Sequence, residues 1–163
     1  MKRIGLLSDT HGTVPAQIYS FFKDCDEIWH AGDIGNIDTL NELNHFRPTI
    51  AVYGNIDGLD IIYETKEIQT FMCEEMKVIM THIGGYPPKY MPKSLAIIEK
   101  EKPDIFISGH SHILKVMFDK KNNLLHINPG ASGKYGFHNV CTLVRFVIDG
   151  NRATDLEINE FPK

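Results

Sequence analysis

The chain opens on a short apolar run, Arg3 to Ser8, that breaks into the polar cluster Asp9-Thr10-His11-Gly12. Unbroken apolarity over so few residues marks a buried strand, and the polar cluster falls at its carboxyl end. Pro15 suits a first helical turn, and Ile18, Phe21 and Phe22 share one face of the helix that follows. Glu27 to His30 reads as a second strand running into Ala31-Gly32-Asp33. Asn36 or Asp38 then caps a helix whose Ile37, Leu40 and Leu43 point inward until Pro48 ends it. Thr49 to Tyr53 is a third strand, leading into Gly54-Asn55-Ile56-Asp57-Gly58. The order is βαβαβ, and every strand ends in a loop of Gly, Asp, Asn or His.

Beyond this point the pattern changes. Ile61 to Cys73 and Met76 to Met80 are predicted as the strands of a hairpin turning at Glu74-Glu75, the second of them leading into Thr81-His82. Pro87-Pro88 and Pro92 mark a loop before a helix at about residues 93–100, and Ile105 to Ser108 is an apolar strand ending in Gly109-His110-Ser111-His112. Strands follow at Leu114 to Phe118 and Leu124 to Ile127, then the turn Asn128-Pro129-Gly130. A long hairpin, Val140 to Ile148 with Ala153 to Ile158, is joined at Asp149-Gly150-Asn151. No linker, repeat or low-complexity tract divides residues 1–163, so one domain is expected. Its class is α/β: two mixed β-sheets packed face to face as a sandwich, flanked by helices.

Composition narrows the function classes. With 42% hydrophobic and 23% charged residues the chain is a globular protein and not a disordered one. A net charge of −4 gives no overall field for nucleic acid or an anionic membrane, so general nucleic-acid binding is excluded while a locally positive site is not. Three cysteines, Cys25, Cys73 and Cys141, are widely spaced, which argues for a reducing compartment and against a thiolate zinc site. The first residues are too short an apolar run for a secretory signal, and no run is long enough to span a membrane. A cytoplasmic location is the expectation.

Eight histidines in a mildly acidic chain demand an account. Five loops, each directly after a predicted strand, carry Asp9 with His11, Asp33, Asn55, His82, and His110 with His112. In an open α/β sheet the carboxyl ends of the strands form a common rim, so these residues can converge. Carboxylate oxygen, amide oxygen and imidazole nitrogen together suit Mn²⁺, Fe²⁺, Zn²⁺ or Mg²⁺, and seven donors are too many for one tetrahedral ion. A bridging carboxylate would let them hold two. Singly, Asp9 or Asn55 is explained as well by a turn or cap. His30, His45, His126 and His138 lie outside these blocks and read as packed or surface residues, a phosphate contact by His138 from the loop after Asn128-Pro129-Gly130 being the lesser alternative.

The ordered series Asp9-x-His11, Gly32-Asp33, Gly54-Asn55-Ile56-Asp57, His82 and Gly109-His110-Ser111-His112 resembles the calcineurin-like metallophosphoesterase family. The small size and the Asn128-Pro129-Gly130 turn are similar to its compact bacterial and archaeal phosphodiesterases, a group that also includes a retromer subunit. The resemblance implies that Asp9, His11 and His112 hold one divalent metal, that Asn55, His82 and His110 hold another, and that Asp33 bridges them. Mn²⁺ is the expected ion, with Ni²⁺, Mg²⁺, Fe²⁺ and Zn²⁺ as alternatives. It further implies a bridging hydroxide as nucleophile, catalytic roles for Asp33, Asn55 and His82, and a small phosphate ester as substrate. The favoured activity is phosphodiester hydrolysis; monoester hydrolysis and a non-catalytic scaffold on the same fold are the alternatives. Asp57 is expected behind the ligands, holding a histidine or the Gly54-Asn55 loop. Two positions depart from the family pattern: Ile56 stands where larger relatives carry a proton-donating histidine, and Ile83-Gly84 follows His82 where many compact relatives carry a second imidazole. Self-association through the exposed face of the second sheet stays open.

Overall fold

The computed structural model describes residues 1–163. In chain order its elements are β1 (Lys2–Leu7), α1 (Gln17–Phe21), β2 (Glu27–His30), α2 (Ile37–Phe46), β3 (Thr49–Ala51), α3 (Leu59–Glu64), β4 (Ile68–Cys73) and β5 (Met76–Thr81). The short pair β6 (Gly85–Tyr86) and β7 (Lys89–Tyr90) follows, then α4 (Pro92–Glu101), β8 (Ile105–Ile107), β9 (Leu114–Asp119), β10 (Leu124–Pro129), β11 (Val140–Asp149) and β12 (Arg152–Pro162).

Two five-stranded sheets result. The first has the order β12-β11-β1-β2-β3, with β1, β2 and β3 parallel and the β11–β12 hairpin antiparallel on the β1 side. The second has the order β4-β5-β8-β10-β9, with β5, β8 and β10 parallel and an antiparallel strand at each edge. Both sheets are mixed. Their inner faces share one core in which Ile4, Leu6, Trp29 and Val144 of the first meet Val78, Met80, Ile107 and Ile127 of the second. Trp29 ties the layers together. Its ring meets Phe71 of β4 edge-on at 5.0 Å and Phe146 of β11 at 5.7 Å, while its indole N–H donates to Glu27.

Helices cover the outer faces. Ile18 and Phe22 of the α1 segment and Leu43 of α2 pack on Leu7, Ile28 and Leu143, and Ile98 of α4 packs on Ile79, Phe106 and Leu124. Asn36 caps α2 by accepting the Thr39 N–H at 2.8 Å, and Pro92 starts α4. The α/β sandwich expected from the strand pattern is therefore the fold, and it aims the carboxyl ends of six parallel strands at one rim.

Residues 61–64 correct one expectation. The strand placed from Ile61 begins only at Ile68, and Leu59–Glu64 is helical. The Gly58 carbonyl accepts the N–H groups of Ile61 and Ile62, and Ile61 alone buries itself against Ile34, Leu40 and Ala51. A single inward residue leaves no periodicity, and β-branched Ile61-Ile62 imitates a strand. The β6–β7 pair also lies in what reads as plain loop, and β12 continues past Ile158 to Pro162. No helix is long and apolar enough to cross a membrane.

His126 on β10 is packed, as its sequence position suggests: fully buried, with its ring stacked on Phe106 at 5.9 Å. Desolvation pushes its pKa down to about 4, so it stays neutral in the fold while the unfolded chain takes up a proton below about pH 6.5. Stability from this group is thus present above pH 6.5 and lost as the pH falls toward 4. In urea denaturation, His126→Leu is expected to lose less stability between pH 7 and pH 4 than the parent chain, by up to about 3 kcal/mol. Parallel acid limbs in the two proteins would assign the effect to other groups.

Candidate metal centre

Six of the seven chemistry-bearing residues gather into two groups at the rim where the sheets meet. Asp9, His11 and His112 form one and Asp33, His82 and His110 the other, with the donor atoms in each within 4.8 Å of one another. His11 Nε2 lies 3.8 Å from Asp9 Oδ1 and 3.6 Å from Asp33 Oδ2, so the groups adjoin. His82 Nε2 stands 3.2 Å from Asp33 Oδ2 and 3.9 Å from Asp9 Oδ1. Asn55 is exposed on the loop after β3 and lines, with His82, a cavity of about 160 Å³.

Presenting these side chains requires unusual backbone. Asp9, His11, Asp33, His110 and His112 all have positive φ, between 48° and 68°, among nine non-glycine residues of the chain that do. Side chains with a Cβ pay for this region in steric energy, and such strain persists only where surrounding contacts enforce it. Here they do. The N–H groups of Asp9, His11 and Gly12 donate to the carbonyls of Gly32, Asp33 and Ile34, zipping the first loop to the second. Asp57 accepts from the N–H groups of Ile34, Gly35 and Gly54 at 2.8–3.1 Å, fixing the second loop to the third. That is the loop-holding role expected of it. Gly32, at φ +99°, is dictated by contact as well: a Cβ there would sit 2.6 Å from His82 Nδ1.

The rings of His82 and His112 are held from behind. His82 Nδ1 is 2.7 Å from the Ala31 carbonyl, which can only accept, so the proton is on Nδ1 and Nε2 carries its lone pair into the site. His138 Nε2 donates to the Gly133 carbonyl at 2.7 Å, leaving its Nδ1 to accept from His112 Nδ1 at 3.2 Å. His112 Nε2 is then bare as well, 3.1 Å from Asp9 Oδ1. His138 therefore faces the back of His112 and not the phosphate position considered from sequence. His30, read simply as packed, is fully buried and connects two loops: its Nδ1 accepts the Gly32 N–H and its Nε2 donates to Thr10 Oγ1, which donates on to Ile34.

The electrostatics call for cations. Burial alone would raise the carboxyl of Asp9, yet the adjacent imidazoles of His11, His112 and His82 and the hydrogen bond from Ser8 hold it far below the usual range. Asp33 is lowered likewise, against burial, by His82 and the Ile56 N–H. The nearby carboxylates of Asp9 and Asp33 raise His11, and Asp33 and Asp9 raise His82 in spite of its burial. Lone pairs of imidazole pointing at buried carboxylates repel unless a proton or a metal ion lies between them. Most telling, the buried Nε2 atoms of His11 and His82 have no hydrogen-bond partner and, unlike the equally unpartnered nitrogens of His126 stacked on Phe106, they face carboxylates. Imidazole and carboxylate donors in this arrangement fit divalent metal ions.

Some positioning residues are poorly marked in sequence. Asn128 donates to the Gly109 carbonyl and Ser111 Oγ, and Ser8 Oγ donates to Asp9 Oδ2 at 2.7 Å. The Asn128-Pro129-Gly130 turn was the available signal for the first; nothing marked Ser8 beyond its adjacency to Asp9. Asp57→Ala is expected to leave three loop N–H groups without their acceptor and to cost about 3 kcal/mol in chemical denaturation. Divalent metal bound per chain should fall in parallel, measured by elemental analysis of the dialysed protein.

Comparison with known proteins agrees with this geometry. Residues 1–151 match the calcineurin-like phosphoesterase superfamily domain. The chain is 32% identical over 134 residues to a probable metallophosphoesterase of Methanothermobacter thermautotrophicus, covering 78% of this chain and 76% of that one. The fold superimposes on a solved archaeal phosphodiesterase with a TM-score of 0.75 and 23% identity, over 98% of this chain and 99% of the other. It also superimposes on Vps29 of Chaetomium thermophilum with a TM-score of 0.76 and 14% identity, over the full length of both. The chain belongs to the calcineurin-like phosphoesterase superfamily.

Proposed function

We propose that this protein is a metal-dependent phosphodiesterase acting on small phosphate esters, with two divalent ions, Mn²⁺ first among them. Asp9, His11 and His112 hold one ion, Asn55, His82 and His110 the other, and Asp33 both. The observation that carries the reading is the pair of orphaned Nε2 atoms, on His11 and His82, that face the Asp9 and Asp33 carboxylates. Bound ions of this kind supply an activated water near neutral pH and positive charge for the phosphate oxygens.

The chain's own residues do the positioning. Ser8 Oγ and the His110 N–H fix Asp9 Oδ2, and the Ile56 N–H fixes Asp33 Oδ1, so the opposite oxygens of both carboxylates are the ones aimed at His11 and His82. Ile56 is 45% exposed at the site mouth and has no proton to give a leaving oxygen. The departing group must then carry its charge largely unaided, and diesters with acidic leaving alcohols are the best substrates. Likeness to Vps29 motivates the scaffold reading, which predicts metal without turnover.

Metal-stripped protein titrated with Mn²⁺, Ni²⁺, Mg²⁺ or Zn²⁺ is expected to hydrolyse an aryl phosphodiester in preference to the matched monoester. Two ions bound with no turnover of either would favour the scaffold. Asp33→Asn should weaken both ions together and His11→Ala mainly one, as read by metal content after dialysis; small, equal effects would reject the bridging role. Across a series of aryl diesters the rate should climb steeply as the leaving phenol becomes more acidic, and a flat series would point to a proton donor other than position 56.

A further inference from the structure

We propose that the cleft on the His11 side of the metal centre binds the ester group that stays on phosphorus, and that it selects phosphodiesters in which this group is a flat ring with polar edges. This rests on the phosphodiesterase reading above and adds the substrate class. The cleft has a volume of about 480 Å³, within the usual range for small-molecule sites. His11 lines it directly, so the cleft and the metal groups share a wall. Val14, Tyr135 and Phe161 give it apolar surface, and Thr13, Gln17 and Lys134 give it donors, acceptors and a cation. Such a mixture suits a heteroaromatic or substituted aryl group better than a plain alkyl chain.

Tyr135 is the most informative residue. Its ring leans over the His11 imidazole, with centroids 4.9 Å apart and planes 30° apart, yet it is 71% exposed. One part of the ring is engaged by a candidate ligand histidine, and much of the rest is available for a second planar group. The other side of the centre offers less: the cavity shared by Asn55 and His82 is about 160 Å³ and includes Lys93, which is paired with Glu67. In the hydrolysis, water oxygen bonds to phosphorus as the P–O bond to the departing alkoxide breaks. The proton lost by the water is taken up by that alkoxide after it has departed, and the product monoester retains the other group. In-line geometry places the departing oxygen opposite the attacking one, so the retained group lies to the side. The His11 side is the roomier of the two for a ring with polar substituents.

The test is calorimetric titration of the Mn²⁺-loaded protein with phenyl phosphate, methyl phosphate and inorganic phosphate. Phenyl phosphate is expected to bind about ten-fold more tightly than methyl phosphate, the scale of one aromatic contact. Tyr135→Ala, at an exposed position, should shrink that ratio to about two-fold, and Thr13→Trp should shrink it by filling the cleft. Equal affinities for the two esters in the parent protein, or a ratio untouched by both substitutions, would overturn the proposal while phosphate binding upheld the enzyme reading. If none of the three probes bound the metal-loaded protein, the phosphodiesterase reading would fall, and the cleft assignment with it.

Discussion

Two carboxylates, Asp9 and Asp33, are buried at the rim with imidazole nitrogens facing them, and this concentration of donors governs the surrounding structure. Isolated buried negative charge is expensive. Here it is tolerated because each carboxylate has one oxygen fixed by the protein and the other turned to histidines. Protonated imidazoles can supply the compensating charge in the absence of metal, which is why His11 and His82 are raised and the two aspartates lowered. Divalent ions supply it better, since they fit the unprotonated Nε2 atoms that the ring contacts of His82 and His112 prescribe. The net charge of −4 is therefore a poor guide to the site, whose local balance changes sign on loading.

That arrangement depends on the sandwich being closed. Asp9 and Asp33 arrive from the first sheet, while His82, His110 and His112 arrive from the second. The Ala31 carbonyl that orients His82 also belongs to the first sheet's rim, and Gly109, in the second, carries the carbonyl that accepts from Asn128. Neither sheet alone contains a complete donor group. Core burial around Trp29 and assembly of the site are thus one event, and the left-handed residues at the rim draw on stability generated by that core. Metal binding would return some of it.

Much of this was legible in the chain because strand ends leave local marks. Short apolar runs that stop at Gly-Asp, Gly-Asn or Gly-His set both the layers and the loops, and the sandwich follows from them. Asp57 was legible for the same reason, sitting three residues beyond Gly54 in a loop that needed an anchor. Ile61 was misread because one buried β-branched residue in a six-residue helix has no period to detect. The contacts of His30, His138, Asn128 and Tyr135 were hidden for a different reason. Each depends on a contact between loops distant in sequence, and no spacing rule encodes which ring nitrogen meets which carbonyl.

The histidines show how far residue type underdetermines role. His126 and His30 are both fully buried with depressed pKa values, His126 at about 4 and His30 at about 3. Burial drives both, yet His126 stacks in an apolar layer, whereas His30 spans Gly32 and Thr10 and so joins the two loops that carry Asp33 and Asp9. A protonated His30 could no longer accept from Gly32. Its neutrality is therefore part of the loop geometry, and burial is what maintains that neutrality. His138 works by the same logic one step further out, where a backbone carbonyl sets its tautomer and that tautomer sets the one on His112. The chemistry of the centre is thus written partly in backbone oxygens, whose placement only the folded chain reveals.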